Sequence, residues 1–243
     1  MTEYKDETYG ERVAGVYDDW FPTADPDAIA FLTKLANGGK VLELGIGTGR
    51  FAVPLANNNL AVHGIDASES MIARLRGKPG VDKITVTMGN FADVPVEGEF
   101  QLIYVVFNTF FALQSQEMQV CCFQNVAKHL AKTGTFVIEA FVPDVTRFIK
   151  GHAIRPMRII TDRLELDVSE HDPITQRVVS QKVVMTDGQV KLYPVNIRYA
   201  WPAELDLMAQ VAGLRLRERY TGWQREPFTS DSQKHISVYE WAS

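Results

Sequence analysis

Two carboxylates and three closely spaced glycines in this chain suit a ligand held at the edge of a sheet. Val41-Leu42-Glu43-Leu44-Gly45-Ile46-Gly47-Thr48-Gly49-Arg50 reads as a strand running into a glycine turn. Missing Cβ atoms there let the backbone bend sharply and come close to a ligand. The spacing is Gly-x-Gly-x-Gly, and Arg50 stands where a dinucleotide fingerprint needs glycine, which disfavours a pyrophosphate. No Gly-Lys-Ser/Thr follows, so a phosphate loop is disfavoured as well. Glu43 offers its charge to a cationic group and would repel a diphosphate. Asp66 closes the next apolar run 21 residues after Gly45 and can accept hydrogen bonds from both hydroxyls of a ribose. Asn90, at the end of a third run, can face the edge of a base, with Phe91 or Met71 against its flat surface.

Groups so placed need strands that end side by side. From Lys40 to Val142 short apolar runs alternate with helical patterns: 41–44, 60–65, 84–88, 102–106 and 135–139. Strands joined by helices imply crossover connections, hence an α/β fold with a doubly wound, mostly parallel, Rossmann-like sheet. Ser68 can cap a helix that turns Met71, Ile72 and Leu75 inward, and a later helix has Pro202 in its first turn and Gly213 as its stop. Between about 150 and 200 the period becomes alternating, and Asp187-Gly188 between two such runs signals a hairpin. Four parts follow: an N-terminal cap over 1–37 rich in Tyr4, Tyr9, Tyr17, Trp20 and Phe21, a ligand-binding core over 38–149, an antiparallel lid or platform over 150–201, and a helix with hairpin over 202–243 that completes the core.

In order, Glu43–Gly49, Gly64–Ser68, Gly89–Phe91 and Leu102–Asn108 resemble the successive motifs of class I S-adenosylmethionine-dependent methyltransferases. The resemblance spans roughly residues 38–142. It implies a seven-stranded sheet with a last antiparallel hairpin at 214–220 and 236–241, and S-adenosylmethionine as cofactor. It also implies residue roles: Glu43, Gly45, Gly47 and Gly49 around the methionine part, Asp66 and Ala67 at the ribose, Met71, Asn90 and Phe91 near the base, and Val106 with Asn108 under the sulfonium. Residues 13–20 are similar to the Tyr-Asp entry segment of small-molecule methyltransferases, including those that N-methylate amino sugars in antibiotic pathways, where the tyrosine, here Tyr17, lies against the methionine end. Two departures stand out. Asn90 occupies a place where many members carry Asp, and Pro54 falls inside the helix after the glycine turn, which must start loosely or kink.

Methyl transfer from a sulfonium is a direct displacement, so alignment and water exclusion matter more than acid or base strength. An amine acceptor must be neutral, and Glu139 or Tyr17 could take the proton that is released. Acceptor-side candidates are Trp20, Phe141, Arg155, Arg198, Tyr199 and Trp223. The basic stretch Arg147, Lys150, His152, Arg155, Arg158 and Arg163 could meet a phosphorylated or nucleotide-linked substrate. These features point to N-methylation of an amino sugar carried on a nucleotide. A small-molecule O-methyltransferase, a nicotinamide-dependent oxidoreductase and a cofactor-binding module without turnover are the competing readings.

The 243 residues carry a net charge of −5, which disfavours binding to nucleic acid, and no Asn/Asp-Pro-Pro-Tyr/Phe motif follows the fourth run. A charged N-terminus and the lack of a long apolar run point to a cytoplasmic protein without a membrane span, either monomer or homodimer. The histidines show no metal spacing, so no metal is expected, and adjacent Cys121 and Cys122 read as buried free thiols.

Overall fold

The computed structural model describes residues 3–242. Val41–Leu44 (β1) shows how the core is chosen: all four residues are buried, as a central parallel strand covered on both faces requires. Parallel neighbours flank it, Val62–Asp66 (β2) on one side, followed by Ile84–Met88 (β3), and Phe100–Val105 (β4) on the other, followed by Leu130–Phe141 (β5). Leu214–Tyr220 (β10) and Lys234–Trp241 (β11) finish the sheet in the order β10-β11-β5-β4-β1-β2-β3, with β11 antiparallel to both of its neighbours. After β3 the chain crosses back over β1 to lay down β4. The strand order therefore reverses between β1 and β4, and a crevice opens at their carboxyl ends, where sheets of this kind bind ligands.

Side chains alternate across the sheet and so divide the core in two. Leu42, Leu44, Ile103, Phe136 and Ile138 face Gln116–His129 (α6) and Pro202–Val211 (α7). Val41, Leu102, Tyr104 and Val137 face Pro26–Ala36 (α3) and Ala52–Asn57 (α4). Hydroxyl and carboxyl caps fix where these helices begin: Asp25 accepts from the Asp27 N–H at 2.9 Å, and Ser115 from Met118 at 3.2 Å. Ser68 caps Glu69–Arg76 (α5) as its spacing predicts, and Met71, Ile72 and Leu75 are buried. Pro54 does not kink α4. It sits in the first turn, where an N–H would have no intrahelical partner.

Two expectations are adjusted. The N-terminal 37 residues are not one cap: α3 is part of the packed core, while Thr8–Val13 (α1) and Tyr17–Trp20 (α2) lie at the crevice. β5 begins at Leu130 rather than Thr135, because the chain pairs Phe100 with Leu130 and then slips in register before Leu102 meets Thr135. Cys122 is buried and Cys121 only partly so.

The platform is a separate four-stranded antiparallel meander: His152–Ile160 (β6), Arg163–Asp172 (β7), Arg177–Thr186 (β8) and Gln189–Arg198 (β9). Thr186 pairs with Gln189 across the Asp187-Gly188 turn, where Gly188 takes the left-handed conformation (φ 75°). β9 is the strand nearest the crevice and packs on α1, whereas β6 is an exposed outer edge. No helix among the described residues is long and apolar enough to cross a membrane.

Candidate active site

Gly45 and Gly47 both have positive φ and line a cavity of about 320 Å³ at the tip of β1. A Cβ on Gly45 would come within 2.5 Å of Thr109 Cγ2, so the turn can close only without one. Gly47 faces open space. Gly49 is different: a Cβ there would lie 2.3 Å from Leu75 Cδ1, and the residue does not reach the cavity. Its role is close packing of the turn onto α5, a correction to the expected ligand contact.

Asp66 stands at the tip of β2 and binds the glycine turn. Its Oδ2 accepts from the Gly47 N–H at 2.7 Å and its Oδ1 from the Ser68 N–H at 2.9 Å. Burial pushes its carboxyl up, and these N–H groups oppose the shift by favouring the charged form. Each oxygen retains a lone pair, the acceptor set that a vicinal diol requires. Ala67, Ser68, Met71, Asn90 and Phe91 also line this cavity.

Glu43 lies behind the glycine turn rather than in the cavity wall. It is almost fully buried, its Oε2 has no hydrogen-bond partner, and burial pushes its carboxyl up to about 8. The Arg50 guanidinium favours its ionised form. Arg50 in turn lies in an aromatic sleeve, 4.1 Å from the Phe107 ring centroid, 5.6 Å from Phe21 and 5.9 Å from Tyr17, with its Nε buried and unpaired. Glu43 Oε2 and Arg50 Nε are thus buried and unpaired behind the cavity wall, Arg50 against its Tyr17 and Phe107 rings, and a carboxyl and a guanidinium on that side suit the ammonium and carboxylate of an amino acid. The residues present therefore fit S-adenosylmethionine.

Phe107 and Asn108 are both left-handed (φ 59° and 66°), an uncommon backbone for such residues that the surroundings hold in place. Asn108 Oδ1 accepts from the Phe141 N–H at 2.7 Å, the Asn108 N–H donates to the Glu139 carbonyl at 3.1 Å, and the Phe107 N–H donates to Glu139 Oε2 at 3.0 Å. The tips of β4 and β5 are thus tied into one wall. On its far side lies a second, more open cavity of about 730 Å³, lined by Glu139, Thr221, Thr229, Asp231, Ser232 and Lys234 among others. Phe107, Asn108 and Phe141 belong to both cavities.

Several expected site residues stand elsewhere. Val106 is buried in the core and reaches neither cavity. Trp223 packs on Phe31, ring centroids 5.5 Å apart, on the α3 side of the sheet. Arg198 is a structural ion: it pairs with Glu204 at 2.7 Å and donates to Gln119 and Gln176, tying β9 to α6 and α7. Tyr199 bonds His171 under the platform. Arg155 is exposed on β6, and neither it nor any other member of the basic stretch lines a cavity. Trp20 meets Tyr193 of β9 edge-on at 4.8 Å and carries Lys182 over its ring, so it packs the cap onto the platform. Tyr17 lines the first cavity and not the second, and burial pushes its hydroxyl up, so it stays protonated and is unsuited to act as a base.

Sequence reasoning missed Tyr4, Asp6 and Tyr9 from the cap, Leu113 and Gln114, and Val195–Ile197 of β9, which close the first cavity. The dense N-terminal aromatics were the available signal for the first group. Gln114 is held by donating to the Asn196 carbonyl at 2.7 Å, a pairing that no local pattern announces.

Comparison with known proteins bears on this geometry. Residues 41–134 match the family described as "Methyltransferase domain". The chain is 37% identical to the CcbJ methyltransferase of Streptomyces caelestis, with a TM-score of 0.93 over 99% of this chain and all of that one. It is 28% identical to the cypemycin N-terminal methyltransferase of a Streptomyces species, over 96% of this chain and 97% of the relative. The S-adenosylmethionine-bound amino pentose methyltransferase CalS10 of Micromonospora echinaspora, 17% identical, shares the fold with a TM-score of 0.66 over 98% of each chain. With the glycine turn, the ribose-ready Asp66 and the covered crevice already in place, these matches settle the family: the chain is an S-adenosylmethionine-dependent methyltransferase.

Proposed function

We propose that this enzyme N-methylates a primary or secondary amine on a small polar natural product, with an amino sugar as the acceptor class. The observation that carries this reading is the second cavity, joined to the first through Phe107, Asn108 and Phe141, where the hydroxyls of Thr221, Thr229 and Ser232 and the carboxyls of Glu139 and Asp231 stand among Lys234, Gln233 and apolar side chains. Hydroxyl and carboxyl groups suit a polyol that bears an amine better than they suit a flat phenol.

Bound S-adenosylmethionine supplies an electrophilic methyl carbon on a cationic sulfur. The tied tips of β4 and β5 fix the direction from which an acceptor in the second cavity can approach, and Phe107 and Phe141 give the passage apolar walls. Apolar rings beside the amine disfavour its protonated form and so keep the lone pair available. Glu139, which lines the acceptor cavity, is the carboxylate placed to receive the proton once the nitrogen has gained its fourth bond. Its Oε2 is engaged by the Phe107 N–H, and Lys234 Nζ lies 3.4 Å from Oε1.

A diphosphate grip by the basic stretch has no support in this geometry, because Arg155 and its neighbours stand outside both cavities. A free or glycosidically linked amino sugar is therefore favoured over a nucleotide-linked one. A peptide α-amine is the second reading, favoured by full-length similarity to an N-terminal methyltransferase and by the openness of the acceptor cavity.

The test is a mass-spectrometric screen for methyl addition over free and nucleotide-linked amino sugars, their hydroxy counterparts, short peptides with free N-termini, and phenols. Methylated amino sugars are expected. Activity confined to phenols or hydroxy sugars would reject N-methylation, and activity confined to peptides would select the second reading.

A further inference from the structure

The part of the first cavity beside Phe91 and Met71 is where a purine would lie, and its edge presents a donor, the 6-amino group, next to an acceptor, N1. Asn90 stands at that position in the chain, yet its side chain is already engaged at both ends. Oδ1 accepts from the Ala92 N–H at 2.8 Å, and Nδ2 donates to Asp6 Oδ2 at 2.7 Å. Asp6 comes from the N-terminal segment, 84 residues away in sequence, and lines the same cavity. Its Oδ1 has no hydrogen-bond partner among the described residues, and neither does the main-chain N–H of Phe91.

We infer that Asp6 completes the adenine subsite: its free carboxylate oxygen accepts from the 6-amino group, and Asn90 acts as the positioning residue that holds it there. The inference rests on the cofactor assignment and adds to it the source of base discrimination. A carboxylate makes a charge-assisted bond to an amino group, stronger than an amide oxygen would make. The departure at Asn90 then has a physical sense. The carboxylate is supplied from the cap, and an amide rather than a second acid must stand beneath it, since two carboxylates at hydrogen-bonding distance would repel. Adenine recognition is thereby coupled to closure of the cap, because the acceptor is present only when residues 4–10 lie over the cavity.

Calorimetric titration of the full-length protein with S-adenosylhomocysteine and with its 6-deamino analogue, in which hydrogen replaces the amino group, tests this directly. The native protein should prefer the amino form by roughly ten-fold or more, the range expected for one hydrogen bond to a charged group. Asp6→Ala should lose most of that preference, chiefly through weaker binding of the amino form, with Asn90→Ala showing a smaller loss in the same direction. Asp6 is exposed and precedes the first helix, so the variants should fold, and the native comparison needs no variant at all. Equal affinity of the native protein for both ligands, or an Asp6→Ala protein that weakens both equally, would overturn the assignment. Failure of S-adenosylhomocysteine itself to bind would strike at the cofactor reading instead.

Discussion

Individual carboxylates show how far residue types alone can be read. Asp66 was legible because an acid that closes the second strand stands at the carboxyl edge of the sheet, and the structure places it on the Gly47 and Ser68 N–H groups at the cavity wall. Asp66→Ala should weaken S-adenosylhomocysteine binding by about 1–3 kcal/mol, measurable by calorimetry on a variant whose fold is checked by circular dichroism. Glu43 could be placed on its strand, but its protonation state depends on surroundings that no spacing reveals. Held up at about 8 by burial against an ordinary value of 4.5, it is largely neutral in the empty protein at neutral pH. A ligand ammonium nearby would favour the ionised form, so cofactor binding should release protons and tighten as pH rises toward 8. Titration in buffers of different ionisation enthalpy reads that release, and Glu43→Gln should abolish it. Arg198 and Trp223 were illegible for the opposite reason: a cation or an indole on a strand looks the same in sequence whether it turns to a cavity or to a neighbouring helix.

Among elements, the N-terminal cap is held by three acids, each taken by the turn after a different strand. Asp18 accepts from Thr48 at 2.6 Å and from Lys78 at 2.9 Å, beside the glycine turn. Glu11 accepts from Ser68 at 2.7 Å and from Ser70, over the β2 tip, and these bonds hold its carboxyl below the usual range. Asp6 meets Asn90 after β3. Glu11→Ala should therefore leave the core intact and speed S-adenosylhomocysteine dissociation several-fold, about 1 kcal/mol for the lost bonds, as stopped-flow displacement would show. An unchanged off-rate would mean that the cap does not gate the cavity. The existence of this cap and of the platform could be read from aromatic density and from the change of period. Which residues of β9 line the cavity could not, because an alternating strand offers two equivalent faces until a partner covers one of them.

For the whole molecule, the parallel core was the most legible part, since crossover helices and apolar runs leave few arrangements open. Its antiparallel last strand carries a liability absent from any motif. His235 of β11 is fully buried, bonded through Nδ1 to Ser237 at 2.8 Å, with Nε2 unpaired, and burial pushes it down to about 3. The unfolded chain takes up that proton near the ordinary value of 6.5 and the folded one does not, so stability is complete above 6.5 and is lost as pH falls toward 3. Urea midpoints at about pH 7.5 and about pH 5 should differ in the native protein and converge in His235→Gln, with no such convergence if the imidazole is solvated.

The partition formed by Phe107, Asn108 and Phe141 has its two sides built from largely different stretches of chain: the first cavity from the cap, the first three strand tips, residues 109–114 and β9, the second from the end of β5 and the segment between β10 and β11. With the second cavity as the proposed acceptor site, changes to residues 221–233 should alter which acceptor is taken while leaving cofactor binding untouched. New chemistry in this scaffold would arise by exchanging one short connection, and grafting that connection between relatives is the direct route to altering its clientele.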